Sequence, residues 1–412
     1  MVENKQEHTN AAQVQEPQHA DRVLIVIAVL MALFSLLPVY SASSSLAFAD
    51  GLGSPLMRLI KHAVLVGAGL GVMYLIQFKV SYRYIGGLSK VLLPISIVLL
   101  LYTLLNGTNI NEARRWISLP YTSLTFQTSA FAFMVLMVFL ARNLALCSPE
   151  QKNSFKESLL PFVVPVMAVV GLVLPANFST AALIFATAMV LLYVGGFPLL
   201  NIVKLGGVGL VLMTMLVSVF LLFPNSENRL SVWKQRVESF EDGGKTENYQ
   251  VHKAKIAIAV GGVMGKGPGK SVQKNFLPQS NSDFIYAIII EEFGLIGGIA
   301  VPLFYLLFFI RVLVISTRAQ TRFGSLLAFG LGLMIMVQAF VNMGVAVNIF
   351  PVTGQTLPLI SSGGTSVLVT ASAIGIILSV SRTAQGKSVP ESEEPQDMEF
   401  AESIKITASE TS

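Results

Sequence analysis

Three carboxylates lie in or beside one apolar segment, LPQSNSDFIYAIIIEEFG at residues 277–294. Asp283 stands at the mouth of the apolar run, and Glu291 and Glu292 lie inside it. A carboxylate beside lipid is costly, so each of these residues needs a partner or a function. A carboxylate within hydrogen-bond reach of a hydroxyl can act as a general base, and an aspartate before a helix can also act as its N-cap. Both roles are open for Asp283, and they are compatible.

The two glutamates are separated from Asp283 by eight and nine positions. On a regular helix Glu291 would lie about 12 Å deeper and roughly 80° around from Asp283, and Glu292 would point to the opposite side. Neither carboxylate could then reach the same proton as Asp283. We predict that both are buried pairing or helix-positioning residues, with a secondary role in catalysis or ion passage as the alternative.

The composition identifies the kind of scaffold that carries these groups. Of 412 residues, 53% are hydrophobic and 12% charged, and the mean hydropathy is +0.68. These values are typical of a polytopic membrane protein. The 28 basic residues exceed the 23 acidic ones but are scattered through loops, which excludes a nucleic-acid-binding stripe. The single cysteine, Cys147, excludes an internal disulfide framework.

Apolar runs of about 20 residues, the length of a membrane span, occur ten times. We therefore predict an all-α integral membrane protein with ten transmembrane helices. The predicted spans are 23–44, 57–78, 85–105, 126–146, 158–175, 178–197, 200–223, 284–313, 324–348 and 364–381.

Basic residues on the short loops set the orientation. Most of them fall on the side of the N-terminus, which the positive-inside rule makes cytoplasmic. Both termini are then cytoplasmic, and the membrane domain covers 21–382. The polar tails at 1–20 and 383–412, the second acidic, are predicted to be disordered. The cytoplasmic residues are Lys79, Arg83, Arg142, Lys152, Lys156, Arg311, Arg318, Arg322, Arg382 and Lys387.

The large loop at 224–282, between the seventh and eighth spans, is then extracytoplasmic and ends at Asp283. It contains nine basic residues, which suit an anionic substrate or a phosphorylated lipid. Its glycine-rich stretch GGVMGKGPGK, at 261–270, lacks the Walker pattern; we expect it to turn the backbone sharply and to leave Lys266 and Lys270 free to meet phosphate. The nine are Arg229, Lys234, Arg236, Lys245, Lys253, Lys255, Lys266, Lys270 and Lys274.

Several motifs in this order resemble the SEDS family (shape, elongation, division and sporulation). They are EARRWI at 112–117 with FQTS at 126–129, NFSTA at 177–181, YQVHKAKIAIAVGGVMGKGPGKSVQ followed by FLPQSNSDFIYAIIIEEFG, and NMGVAVNIFPVTGQTLPLISSGGTS at 342–366. GPGKSVQK and TLPLISSGG are more similar to the family's division members than to its elongation members. The resemblance implies ten helices and polymerisation of peptidoglycan glycan strands from lipid II, together with a class B penicillin-binding protein and other division proteins.

The resemblance also assigns residues. Asp283 matches the family's essential acidic residue in the SDF motif. The other matched positions are candidate substrate-binding residues, with a structural role as the alternative: an interfacial anchor for Arg115 and Trp116, a loop brace for Arg236, and a tight turn, which we favour, for the two serines. The candidates are Arg115, Trp116, Arg236, Tyr249, Gln250, Lys266, Lys270, Ser271, Gln273, Ser361 and Ser362.

The chain departs from the family's motifs at several charged positions. Ala130 stands where a glutamate is usual and Phe133 where a lysine follows. Asn177 replaces a common aspartate, and Thr353 replaces a lysine frequent in division members. We interpret these changes as the loss of intramembrane charges, in part as compensated pairs.

Two other functions compete with the polymerase. A lipid II transporter would also have a many-helix bundle, but its polar groups should lie near the bilayer midplane. A non-catalytic division scaffold is the second alternative, against which the retained motifs argue. A divalent cation such as Mg²⁺ or Mn²⁺ could assist a pyrophosphate, but no ligand set in the sequence identifies one. His62 is predicted to be a packed interior residue.

Overall fold

The computed structural model describes residues 20–49, 55–110, 113–118, 125–222, 249–278 and 280–384. The tails predicted at 1–20 and 383–412 lie outside these ranges, apart from Ala20 and the end of the last helix. Helices occupy all ten predicted apolar segments, because a backbone in lipid must satisfy its own hydrogen bonds.

The first half of the chain forms five long helices. Ser35 separates α1 from α2, and its side chain contacts the buried His62 at 3.0 Å, so His62 is a packed interior residue as predicted. These helices are α1 (Arg22–Phe34), α2 (Leu36–Ala49), α3 (Pro55–Lys79), α4 (Tyr82–Asn106) and α5 (Thr128–Leu146).

The next membrane segment is built from several short pieces. A π-helical turn (Leu159–Val163) joins α7 to α8, and it contains Pro161, which cannot donate a backbone hydrogen bond. The helices of this part are α6 (Pro149–Asn153), α7 (Phe155–Ser158), α8 (Val164–Val173), α9 (Phe178–Val194) and α10 (Leu199–Leu222).

The last part contains a helix within the large loop and three long helices. The loop helix, α11 (Tyr249–Gly261), was not predicted, because a 13-residue helix with several lysines is too short and polar to read as a span. It is followed by a 3₁₀ turn (Gln273–Asn275), α12 (Ile285–Arg318), α13 (Arg322–Ala346) and α14 (Ser366–Ala384).

Eight segments are long and apolar enough to cross a membrane, and α9 and the Leu199–Val211 part of α10 are shorter apolar helices. The protein is therefore a multi-pass membrane protein. Helix α5 lies at the centre of the bundle: its residues from Ala132 to Val138 are all buried, which leaves no lipid-facing side.

A small antiparallel sheet departs from the all-α prediction. It has the order β1 (Thr108–Ile110), β2 (Ala113–Ser118) and β3 (Thr125–Gln127), and it fills the loop between α4 and α5. A scan for apolar runs of about 20 residues cannot detect strands of three to six residues. Its β-branched and aromatic residues suit a pleated surface.

One end of the bundle is closed by an ion pair whose carboxylate is buried. Asp21 caps α1 by accepting from Leu24 N at 2.9 Å, and it receives Arg311 of α12 at 2.6 Å. The backbone N–H of Asp21 donates to Ser381 of α14 at 3.1 Å. One aspartate thus ties three helices together at this end.

Candidate functional site

Asp283 lies in a turn immediately before α12 and is partly buried. The N-cap position of α12 belongs to Phe284. The structure therefore gives the N-cap position, which the sequence left open for Asp283, to the next residue.

Two neighbouring elements hold the backbone of this turn. Asn342 of α13 donates from Nδ2 to the carbonyl oxygen of Asp283 at 2.9 Å and to that of Gln355 at 2.6 Å. Ser361 donates its hydroxyl to the carbonyl of Ser282 at 2.6 Å, and Ser362 N–H donates to Asn281 O at 2.9 Å. The position of Asp283 is thus fixed through its own carbonyl oxygen and those of the two residues before it.

These contacts bear on Ser361 and Ser362, which were candidate substrate-binding residues with a tight turn as the favoured role. Ser361 is buried, and its oxygen also accepts from Leu357 N at 2.8 Å. The N–H groups of Ser361, Ser362 and Gly363 all donate to protein carbonyls. Because these N–H groups already donate hydrogen bonds within the protein, they stabilise the loop against the Asp283 turn and do not receive an anion.

Helix α12 is broken at Gly294, where φ is +66° and ψ is −159°. Only glycine adopts such a backbone conformation readily. A Cβ on Gly294 would lie 2.3 Å from the carbonyl oxygen of Val263. We call residues 285–293, which precede the break, the short arm of α12.

The glycine-rich stretch after α11 replaces the helical hydrogen bonds lost at the break. Lys266 N donates to Glu291 O at 3.0 Å, Gly267 N to Glu292 O at 2.9 Å, and Leu295 N to Gly262 O at 2.9 Å. We call residues 261–275 the outer hairpin. Its glycines permit this close backbone approach, because a Cβ at Gly265 would lie 2.2 Å from the carbonyl oxygen of Glu292.

Glu291 is completely buried and receives hydrogen bonds from the outer hairpin. Lys266 Nζ pairs with Oε1 at 2.9 Å. The N–H of Val272 donates at 2.9 Å, that of Gln273 at 3.2 Å, and the hydroxyl of Ser271 donates to Oε2. This number of donors is what a buried carboxylate needs to remain charged.

Glu292 joins a third element to the same cluster. Its Oε1 accepts from the hydroxyl of Ser41 in α2 and from Ser271 N at 3.3 Å. Lys274 Nζ in turn contacts Ser41 Oγ at 3.3 Å. Glu292 is buried, and its Oε2 has no partner among the residues that the structure describes.

These contacts correct three predicted substrate-binding residues. Lys266 pairs with Glu291 instead of extending free, Ser271 is buried with both its N–H and its hydroxyl donated to glutamates, and Gln273 N–H also binds Glu291. The reason is electrostatic: the buried glutamates need these donors.

The depth predicted for the glutamates assumed one straight helix. The short arm is helical, so about 12 Å along its axis still separates Asp283 from Glu291. Because the helix breaks at Gly294, this distance along the short arm no longer measures depth in the membrane. Leu295, which follows the break, lies about 24 Å along the regular part of α12 from Arg311, and Asn342, which holds Asp283, lies about 30 Å along α13 from Arg322. Both groups are therefore at one end of the bundle, opposite the Asp21 pair.

The remaining loop candidates differ in exposure. Lys270 is exposed and makes no ion pair with the part of the chain that the structure describes. Tyr249 is exposed at the start of α11, next to the partly buried Gln250, and Lys253 lies over the Tyr249 ring, 5.4 Å from its centroid. Of the predicted substrate contacts in this loop, Lys270 has the most accessible charge.

Two predicted residues cannot be placed. Arg236 lies outside the described residues. Arg115 belongs to β2, but its side chain is outside what the structure describes. Its neighbour Trp116 is partly buried in β2, opposite Gln127 of β3.

Three of the positions that lost charges, Ala130, Asn177 and Thr353, lie beside uncharged polar groups. A cavity near the Asp283 turn is lined by Ala130 and by polar residues of α13, α14 and the loop between them. Asn177 caps α9 through Thr180 N at 3.3 Å, and its Nδ2 donates to Thr353 O at 3.3 Å. The two positions expected to carry opposite charges are therefore neighbours. The polar residues lining the cavity are Gln127, Gln338, Gln355, Thr356, Ser366 and Thr370.

Sequence reasoning missed Asn342 and Ser41 as parts of this site. Asn342 opens the NMGVAVNIF motif, and an amide inside an apolar helix is a signal that could have identified it. Ser41 gives no such signal, because single serines are common in membrane helices.

Comparisons with known proteins agree on one family. Residues 21–386 match the profile of the cell cycle protein family of FtsW, RodA and SpoVE. A relative from Nitrosococcus halophilus is 34% identical over 87% of this chain and 91% of its own length, and one from Idiomarina loihiensis is 32% identical over 87% and 86%. Both are named probable peptidoglycan glycosyltransferase FtsW.

Solved structures show the same architecture. A chain from a peptidoglycan synthase complex, described as coordinating polymerization and crosslinking, matches with a TM-score of 0.69 and 25% identity over 89% of this chain and 98% of its own. The rod shape determining protein RodA of Thermus thermophilus matches with a TM-score of 0.62, 25% identity and the same coverage.

Proposed function

The chain belongs to the FtsW, RodA and SpoVE family of cell cycle proteins, the SEDS family that its motifs predict, and we propose that it polymerises lipid II into peptidoglycan glycan strands. Its relatives named FtsW support a role in septal cell division. Asp283 is the proposed general base, and the active site lies on the outer side of the cytoplasmic membrane.

The reaction requires one well-placed base. A sugar hydroxyl is a poor nucleophile, so the Asp283 carboxylate takes its proton as the oxygen attacks the anomeric carbon of the lipid-linked donor. The new glycosidic bond forms as the bond to pyrophosphate breaks. Undecaprenyl pyrophosphate is a good leaving group and needs no carboxylic acid to protonate it, unlike the leaving group of a glycosidase. An α-linked donor and a β-linked product make this a single inversion.

The observation that carries the proposal is how Asp283 is held. Asn342, Ser361 and Ser362 fix the main chain around it, while its side chain stays partly exposed. A general base needs this combination, because its position must be set by groups other than the reacting carboxylate.

Cations stabilise the leaving pyrophosphate. Lys270 and Arg236 are the proposed direct contacts, with Arg115, Trp116, Tyr249 and Gln250 as further candidates. Assistance by Mg²⁺ or Mn²⁺ remains a prediction. Among the described residues no three His, Cys, Asp or Glu side chains gather at one place, and the mechanism has no step through a metal ion.

The orientation proposed is ten spans with both termini in the cytoplasm. The two shorter helices, α9 and α10, complete the ten, and 224–282 is the extracytoplasmic loop. Arg318, Arg322 and Arg382 lie at the same end as the Asp21 pair, which the positive-inside rule makes cytoplasmic. Asp283 then lies about one bilayer core away, at the outer surface.

Labelling of single cysteines tests this orientation. In a Cys147→Ser background, cysteines at 150 and 395 should be protected in intact spheroplasts from a membrane-impermeant thiol reagent, and one at 245 should react. Burial raises the pKa of the Cys147 thiol, but the native cysteine should still be removed. Reversed labelling would place Asp283 away from the acceptor strand and end the proposal.

A class B penicillin-binding protein is the proposed partner. The solved neighbour from a peptidoglycan synthase complex supports such an assembly. The decisive experiment is polymerisation of purified lipid II by the purified protein, with and without this transpeptidase. Glycan strands that require the wild-type chain support the proposal, and no polymer in either condition contradicts it.

The transporter alternative predicts functional polar groups near the midplane. The polar cavity instead lies toward the Asp283 end, since Gln338 is about 24 Å along α13 from Arg322. The position of these groups therefore favours polymerisation. Movement of lipid II across vesicles without polymer formation would favour transport.

A further inference from the structure

We propose that Glu291 and Glu292 are positioning residues that set the location of Asp283, by locking the outer hairpin against the short arm of α12. This inference rests on the proposed function. It assigns the paired glutamates a role in the chemical step although neither carboxylate faces the substrate.

The first step of the argument is the break at Gly294. A helix interrupted in this way could pivot, because the hydrogen bonds across the break are missing. Here the backbone of the outer hairpin supplies three bonds across it, between residues 262–267 and 291–295. The angle of the short arm therefore depends on whether the outer hairpin stays in place.

The second step is that the glutamates hold the outer hairpin. The backbone hydrogen bonds alone attach the outer hairpin to the short arm through only a few contacts between neutral groups. The buried Glu291 adds an ion pair with the partly exposed Lys266 and accepts from residues 271–273 on the returning side of the outer hairpin. Charge-assisted bonds of this kind are about twice as strong as neutral ones. The Glu291 carboxylate thus joins both sides of the outer hairpin to the short arm.

Glu292 extends the lock to a third element. Its contact with Ser41 brings in α2, and Lys274 reaches the same serine from the outer hairpin. Helix α2 continues α1, whose start is fixed by the Asp21 ion pair. The short arm is therefore attached to the helix bundle through α2 as well as to the outer hairpin.

The third step links the lock to Asp283. The residues from Ile285 to Ile290 are all buried. The short arm can therefore move only together with the side chains that pack against it. Asp283 lies two residues before the arm, and its turn is held at the other end by Asn342 and Ser361. A rotation of the arm at Gly294 would displace Asp283, and displacements of about 1 Å are enough to cost on the order of 100-fold in rate.

A different interpretation is that Lys266 contacts the pyrophosphate directly, since its side chain is 29% exposed. The two interpretations differ in kinetics. Loss of a substrate contact raises KM, whereas loss of a positioning contact lowers kcat with KM nearly unchanged.

The kinetic experiment uses Glu291→Gln, Lys266→Met and the double variant in lipid II polymerisation. Each single variant should lower kcat by about 10- to 100-fold with KM within about twofold, and the double variant should be no worse than the poorer single, because both break one interaction. Glu150→Gln and Lys156→Met, exposed at the opposite end of the bundle, are matched controls and should keep full activity. Ser271→Ala, which removes one donor to Glu291, should lower kcat in the same way but less, and it serves if Glu291→Gln fails to fold.

A second measurement is independent of activity. Spin labels on cysteines at the exposed positions Pro278 and Val347, in the Cys147→Ser background, report the distance between the Asp283 turn and α13. The wild type should give a narrow distance distribution, and Lys266→Met and Ser271→Ala should broaden it. Broadening in a protein that makes no polymer would uphold the lock while contradicting the proposed function.

Three results would overturn the proposal. They are a higher KM with unchanged kcat in Lys266→Met, additive losses in the double variant, and distance distributions that stay narrow in every variant. The first two would make Lys266 a substrate contact, and the third would show that the short arm holds its position without the glutamates.

Discussion

The two ends of the bundle use carboxylates in opposite ways. At one end, Asp21 is buried, caps a helix and pairs with Arg311 at 2.6 Å. At the other end, the carbonyl oxygens of Asp283 and Ser282 accept from Asn342 and Ser361, and the side chain of Asp283 is partly exposed. A carboxylate paired with a guanidinium stabilises a fold, whereas a partly exposed carboxylate on a fixed main chain can be reached by a substrate.

Glu291 and Glu292 belong to the outer end but resemble Asp21 in their surroundings. Both are buried, and Glu291 pairs with a cation. In the proposed function, this end divides two tasks between neighbouring carboxylates: Asp283 takes the proton of the substrate hydroxyl, and the glutamates hold the scaffold. Substitutions at the two ends should therefore change different observables.

The largest effect is expected for Asp283→Asn. The amide is nearly isosteric but cannot accept the proton, so the polymerisation rate should fall by about 10²- to 10⁴-fold. The melting temperature should change little, because the amide is nearly isosteric with the carboxylate and the side chain is partly exposed. Initial rates with purified lipid II and thermal unfolding in detergent measure the two quantities.

The control for this variant is Glu150→Gln, an exposed carboxylate at the other end. Near-normal polymer from Asp283→Asn would end the general-base role. A lowered melting temperature would show instead that Asp283 is a structural residue like Asp21.

Arg311→Met should give the reverse pattern. It leaves Asp21 without its cation, which should lower the free energy of unfolding by about 1 to 3 kcal/mol, because the pair is partly solvated on the arginine side. The rate constants of polymerisation should remain within about twofold. Chemical or thermal unfolding measures the loss.

Arg318→Met is the matched control, since Arg318 is exposed at the end of the same helix and forms no ion pair with the described residues. Equal stability of the two variants would show that the Asp21–Arg311 ion pair contributes nothing to stability. The two ends of the bundle would then not differ in this respect.

The sequence predicts the two ends unequally well for physical reasons. Apolar runs are local patterns, and every predicted span contains a helix. The SDF motif is also local, and it made Asp283 the candidate catalytic residue. The Lys266–Glu291 pair joins positions 25 apart through a turn, so no local pattern reveals it. The break at Gly294 was also hidden, because a glycine in FGLIGG suits a membrane helix as well as a kink.

The roles of small polar residues were the least predictable. Ser271 and Ser361 were expected to bind substrate because they lie in motifs, yet both are buried and bonded to the protein. A motif shows that a residue matters, but whether it faces substrate or scaffold depends on contacts between distant segments.

Asn342→Ala tests whether holding the backbone of Asp283 is enough to affect catalysis. Two buried carbonyl oxygens lose their donor, which should cost about 1 to 3 kcal/mol of stability. The rate should also fall by about tenfold with little change in KM, because Asp283 moves. Val347→Ala, one residue beyond the end of α13, is the control. A loss of stability with an unchanged kcat would show that the turn keeps its geometry without Asn342.

An effect on stability alone is expected where this chain has lost charges, at Asn177 and Thr353. Asn177→Asp keeps the cap on α9 but turns a carboxylate toward the carbonyl oxygen of Thr353, and both residues are buried. The variant should lose about 1 to 3 kcal/mol of unfolding free energy, since a buried charge has no partner. Thr353→Lys alone should be destabilised for the same reason.

If the two positions lost their charges as a pair, the double variant should recover stability. The interaction energy from the double-mutant cycle should then be favourable by at least about 1 kcal/mol, since neighbours that form a contact are not additive. Asn201→Asp combined with Thr353→Lys is the control, because Asn201 bonds to Lys152 and Asn153 at the cytoplasmic end and cannot reach Thr353. Equal interaction energies in the two cycles would mean that the charges disappeared independently. A favourable value only for Asn177 and Thr353 would mean that the outer half of this bundle replaced an ion pair with an amide-to-carbonyl bond, leaving Asp283, Glu291 and Glu292 to carry the charge of the site.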